Sequence, residues 1–148
     1  MTNPTTAKLY KPIALSLEAE NISLELKKRN QWVLWRYQRN QTRWTKVPFQ
    51  PGGQKAKSND PTTWHSFESC VTAYHDEFLE FDGVMFALTA GDPFAAIDLD
   101  HCALDGEREP WANEVIGQFA SYTELSPSNT GVHILLKGKL PAGGHNDQ

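Results

Sequence analysis

The chain has 148 residues, 39% of them apolar and 11% aromatic, with 14 Lys and Arg against 18 Asp and Glu for a net charge of −4. That size predicts one domain with a real core, and no apolar run approaches the roughly 18 residues needed to cross a membrane. The polar start, Met1 to Lys11, has no signal-peptide core, and Cys70 and Cys102 are too few for a disulfide framework or a zinc knuckle, so a cytoplasmic protein without structural zinc is expected.

Ile13, Leu17, Ile22, Leu24 and Leu26, interspersed with Glu and Lys, predict a helical extension over residues 1–30 that ends near Lys28-Arg29-Asn30, where basic residues suit the helix dipole. Gln31 to Gln38 reads as a strand and Trp44 to Phe49 as a second, joined by the polar turn Arg39-Asn40-Gln41-Thr42-Arg43. Gln50-Pro51-Gly52-Gly53-Gln54 is a loop, since Pro and paired Gly break both kinds of ladder. Asn59 to Trp64 offers cap chemistry before a helix from about Ser66 to Glu80, with Phe67, Val71, Tyr74 and Phe78 as its apolar stripe.

Gly83 to Leu88 and Pro93 to Leu99 read as a hairpin across Thr89-Ala90-Gly91-Asp92. Pro110 opens a third helix, striped by Trp111, Val115, Ile116 and Phe119. Glu124 and Leu125 belong to a short strand, and Val132 to Leu136 forms another after the loop Ser126-Pro127-Ser128-Asn129-Thr130-Gly131. This order predicts an α+β domain with a largely antiparallel sheet and flanking helices.

The net charge conceals an asymmetry. Leu26 to Asn59 holds nine Lys or Arg and no acid, whereas Asp60 to Leu136 holds fourteen acids and one base, Arg108. The basic stretch also carries Trp32, Trp35, Tyr37, Trp44 and Phe49, a composition suited to neutralising phosphates and stacking bases. Arg36, Arg39, Arg43, Lys46, Lys55 and Lys57 are the candidate nucleic-acid contacts. A solvated strand pair with its aromatics inside has the same composition.

In the acidic part, Asp98 and Asp100 alternate with Ile97 and Leu99, so on a strand both carboxylates face away from the core. Paired carboxylates suit a hard divalent cation, Mg2+ or Mn2+, that leaves positions open for substrate phosphates, although Asp-x-Asp alone also describes a solvated strand end. His101 and Cys102 are adjacent and would point to opposite faces, which disfavours a zinc site. Roughly thirty residues on, His133 follows a loop whose Asn129 and Gly131 tolerate positive φ, as phosphate-cradling loops often require. Asp98, Asp100 and His133 are expected on neighbouring strands.

Several blocks together resemble the primase-polymerase domain of the archaeo-eukaryotic primase superfamily, in its phage and plasmid replication form. They are Trp32-Val33-Leu34-Trp35, Lys46-Val47-Pro48-Phe49 with its Pro-Gly-Gly turn, Asp60-Pro61 with Trp64, Asp82-Gly83-Val84 with Phe86, Ile97-Asp98-Leu99-Asp100-His101, and Ser121-Tyr122-Thr123-Glu124 with Ser126-Pro127-Ser128 leading to His133. The resemblance covers Gln31 to Pro141 and implies a domain over 31–141, with a flexible tail at 142–148.

What it implies is an RNA-recognition-like core for template-directed nucleotidyl transfer in DNA replication. Asp98 and Asp100 would be ligands in a two-metal site, and His133 would contact the incoming nucleoside triphosphate with Ser128, Asn129, Thr130 and Gly131 around it. Single-stranded DNA would be the template, with a helicase domain or protein as a further partner.

Two departures stand out. Many relatives carry Ser two residues before the histidine, where this chain has Gly131, and the family's third carboxylate finds no match after Pro141. The domain is therefore expected to be partial at its C-terminus, with weak or no independent activity. The alternative is a non-catalytic single-strand-binding or regulatory module on the same fold.

Overall fold

A computed structural model describes residues 10–105 and 107–138; the expected tail at 142–148 lies outside them. The chain divides into two compact units, Met1–Ala87 and Leu88–Gln148. The class is α+β, and among the described residues all strand pairing is antiparallel, as the element order predicts, although these strands form two three-stranded sheets and a two-stranded ribbon in place of one sheet. Among the described residues no helix is long and apolar enough to cross a membrane.

In the first unit, β1 (Trp32–Arg39) is the central strand, flanked by β2 (Trp44–Phe49) and β3 (Gly83–Phe86). The β1–β2 hairpin closes over Asn40 to Arg43 because the Asn40 side-chain oxygen accepts from the Thr42 and Arg43 amides at 3.1 and 2.9 Å, an Asx closure that a short polar turn invites. Helix α2 (Phe67–Tyr74) starts where the Ser66 hydroxyl accepts from the Ser69 amide at 3.1 Å. Trp32 joins the layers: its indole N–H donates to the Leu26 carbonyl at 3.1 Å, and its ring stands edge-on to Phe67 and Phe86, with centroids 4.7 and 5.2 Å away.

Three expectations need correction here. The N-terminal helix reduces to a 3-10 turn at Ala19–Asn21 and one helical turn, α1 (Leu24–Lys27). Ile13 and Leu24 are exposed while Ile22 and Leu26 are buried, so the apolar positions do not form one continuous buried stripe. Helix α2 stops at Tyr74 rather than Glu80, because the Asp76 carboxylate accepts from the Phe78 amide at 2.9 Å and turns the chain; Phe78 is left 95% exposed, outside any stripe. Finally, Thr89 to Asp92 does form a closed turn, but the strands around it do not pair, since β3 joins β1 and β4 (Phe94–Leu99) joins β8 (Val132–Lys137) in a different sheet. Each finds a better apolar match there, Val84 opposite Leu34 and Ile97 opposite Ile134.

The second unit has the sheet β4-β8-β7, with β7 at Tyr122–Leu125. Its core is Cys102, Ala112, Val132 and Ile134, packed by Ile97, Leu99, Leu125 and Leu136 from the sheet and Val115 and Ile116 from α3 (Pro110–Phe119). Ala112 replaces Trp111 in the helix stripe, and Trp111 and Phe119 are nearly half exposed. Between β4 and α3 lies a ribbon the sequence reading missed, β5 (Ala103–Leu104) with β6 (Glu107–Arg108), too short to show a period of two.

Two outcomes follow from this packing. Gly83 lies opposite Trp35, and a Cβ there would meet the indole Nε1 at 2.6 Å. Because Trp35 is buried and cannot swing away, Gly83→Ala should lower stability by about 1–3 kcal/mol, and an unchanged denaturation midpoint would contradict that packing. Burial also pushes the Cys70 thiol up to about 12 from its usual 9, so thiol reagents should not titrate Cys70 at neutral pH until the protein unfolds. With the folded-state value raised, this stabilisation is complete below pH 9 and is lost as pH climbs from there toward 12.

Candidate functional site

Along β4 the residues alternate as the sequence requires: Ile97 and Leu99 pack on the core while Ala96 and Asp98 are exposed. Asp98 stands directly opposite His133 of the central strand, and His133 stands opposite Glu124 of β7. A row of acid, imidazole and acid therefore crosses the solvent-facing side of this sheet. His133 Nε2 is 3.6 Å from Asp98 Oδ1, and Nδ1 is 3.1 Å from Glu124 Oε1. The second oxygen of Glu124 accepts from the Tyr122 hydroxyl at 3.0 Å.

Asp100 is also exposed but lies one residue past the end of β4, in the turn that leads to His101 with φ of 52°. Cys102 is fully buried and donates its thiol to the Leu99 carbonyl at 3.3 Å, so it is a core residue. Among the described residues, no three His, Cys, Asp or Glu side chains converge on one point as metal ligands.

The loop before His133 is closed by its own hydroxyls. Ser126 Oγ accepts from the Gly131 amide at 3.0 Å and shares a hydrogen bond with Ser128 Oγ at 2.9 Å, which shares another with Thr130 Oγ1 at 2.9 Å. Asn129 takes positive φ, 59°, as expected for its place in the turn. Gly131 does not need its freedom for φ; it needs the space. A Cβ there would lie 2.9 Å from the Leu99 carbonyl oxygen and 3.4 Å from Ser126 Oγ. A side chain there would wedge the loop away from the end of β4.

The basic candidates all belong to the first unit. Arg39, Arg43, Lys46, Lys55 and Lys57 are exposed on or just after the β1–β2 hairpin, and Lys46 Nζ sits 5.4 Å from the Trp35 ring centre. Arg36 is different: its guanidinium lies between Phe49 and Phe81, 4.3 and 4.8 Å from their ring centres, with Nε buried and unbonded. That is the geometry of a packed cation–π contact. On the same strand, the Tyr37 amide donates to Asp82 at 2.7 Å, and Asp82 also pairs with Lys11 at 2.9 Å. Burial, then the Asp82 charge, raises the Tyr37 phenol above its usual value.

Glu124 is the site residue that sequence reasoning missed. It belongs to the short strand that the sequence predicts at Glu124 and Leu125, but its alignment with His133 depends on the β7–β8 register, which the strand pattern alone does not specify.

No protein-family model matches the chain. Over 116 residues, 75% of its length, it is 38% identical to a protein of Nitratiruptor phage NrS-1 described as a DNA primase-polymerase. The similarity supports a primase-polymerase domain of the phage type in this chain, in agreement with the sequence blocks. The matched stretch spans 15% of that relative's length.

The close approach at Gly131 yields a direct test. Gly131→Ala should cost about 1–3 kcal/mol in stability and speed amide exchange along β8 and the end of β4. Wild-type exchange rates in that variant would show that the contact with Leu99 does not hold the loop.

Proposed function

We propose that the chain carries part of the catalytic apparatus of a metal-dependent, template-directed nucleotidyltransferase acting in DNA replication. The observation that carries this reading is the pairing of Asp98 with His133 on the open face of the sheet, within a chain similar to a phage DNA primase-polymerase.

Asp98 and Asp100 offer hard oxygen donors at an exposed strand end, which fits Mg2+ or Mn2+, ions commonly held by one or two carboxylates with substrate phosphates completing the shell. Bound there, such an ion would activate the primer hydroxyl and neutralise charge on the triphosphate. His133 would hydrogen-bond the nucleotide phosphates, and the loop Ser128, Asn129, Thr130 and Gly131 would shape their pocket. Arg39, Arg43, Lys46, Lys55 and Lys57 would bind the single-stranded template through its backbone, while the ring-packed Arg36 would serve chiefly to order the strand beneath them. A helicase domain or protein would be a natural partner for such an activity.

Primer extension and de novo synthesis with Mg2+ or Mn2+ should give weak template-directed product, since the chain carries only part of the apparatus. Asp98→Ala with Asp100→Ala should reduce it by more than about a hundredfold, beyond the usual effect of losing an outer partner alone. Single-strand binding without synthesis by the wild-type chain would instead favour a binding module. Replacing Arg39, Arg43 and Lys46 with Ala should flatten the log–log salt dependence of oligonucleotide binding by about two units. An unchanged slope would remove the hairpin from the interface.

A further inference from the structure

His133 is held from both sides, and the two sides are not equivalent. A carboxylate without its proton can only accept hydrogen bonds, so the 3.1 Å contact to Glu124 assigns a proton to His133 Nδ1. The contact on the other side, from Nε2 to Asp98, is longer at 3.6 Å, beyond a direct hydrogen bond. Glu124 in turn is not left to its own rotamers: one oxygen meets the imidazole and the other accepts from Tyr122, two residues away on the same face of β7.

We propose that Glu124 is a positioning residue for His133, its carboxylate fixed by Tyr122 and gripping Nδ1–H so that Nε2, a second donor in the imidazolium form of the ring, is presented toward Asp98 and the phosphate side of the site. This rests on the nucleotidyl-transfer reading for its purpose, but the clamp itself is a property of this chain's own residues. The side chain of Glu124 is about half exposed at 48%, and exposed pairs of this kind contribute little to folding. Its removal should therefore leave the protein folded while freeing the ring. Outer partners that orient a functional imidazole typically change binding or rate by ten- to a hundredfold.

The test uses the full chain and two readouts. With ring-15N histidine at alkaline pH, the wild type and Glu124→Gln, whose amide oxygen still accepts, should show His133 protonated at Nδ1. Glu124→Ala should lose that preference with an unaltered melting temperature. In primer extension, Glu124→Ala should raise the apparent KM for dNTP about tenfold with kcat within about twofold, Glu124→Gln should restore it, and Tyr122→Phe should move it less in the same direction.

An unchanged tautomer in Glu124→Ala would overturn the clamp. So would a loss in Glu124→Gln as deep as in Glu124→Ala, because the charge rather than the hydrogen bond would then be what matters. If the wild type makes no product, the nucleotidyl-transfer reading fails, while the tautomer comparison still decides whether Glu124 orients the ring.

Discussion

The arrangement of the second unit depends on one register, that of β4 against β8. Ile97 faces Ile134 and Leu99 faces Val132, and all four belong to the core or pack against it. Since successive side chains on a strand point to opposite faces, burying these pairs forces Asp98 and His133 together on the other side. A slip of one residue would bury Asp98 and expose Ile97. The burial of four aliphatic side chains, each stabilising by about 1.5–3 kcal/mol, thus acts as the ruler that spaces two polar groups which could not attract one another strongly in water. The site is positioned by hydrophobic packing, not by its own electrostatics.

The same ruler is read again on the far side of β8, where Leu125 faces Val132 and Thr123 faces Ile134, leaving Glu124 and Tyr122 on the open face. Gly131 then closes the remaining freedom. It lets the Ser126 to Thr130 loop approach the Leu99 carbonyl, and the Thr130 carbonyl accepts from the Ala103 amide at 3.1 Å. The loop is tied to the chain on both sides of Asp100 and His101. The backbone that leaves β4 and the backbone that enters β8 are thereby held as one piece, although neither is regular there.

What the sequence made legible follows from the range of the forces involved. The β1–β2 hairpin was readable because its alternation, its polar turn and its partner are contiguous, and β2 was expected over the same residues the structure assigns, Trp44–Phe49. The pairing of β3 and β4 was misread for the same reason: a good turn at Thr89 to Asp92 looks local, but partner choice was decided by Leu34 and Ile134, each about fifty or forty residues away. The α2 stripe was overextended because Phe78 has the right spacing while Asp76 holds the chain end. In the site, Asp98 and His133 carried recognisable neighbours in sequence. Glu124 had no such neighbour, since its role depends on a cross-strand contact.

The open face also explains how so many acids are tolerated in the second unit. Asp98 and Glu124 keep side-chain exposures of 57% and 48%, so both carboxylates stand in water. His133, at 35%, separates them by the width of one strand, which keeps two like charges from facing each other directly across a pair. An acid flanking each side of one imidazole leaves a negative surface that attracts cations, and with Nδ1–H taken by Glu124 the ring offers an N–H to an anion from Nε2 in its imidazolium form. The row is built on three adjacent strands, so both kinds of group stand on one face of the sheet.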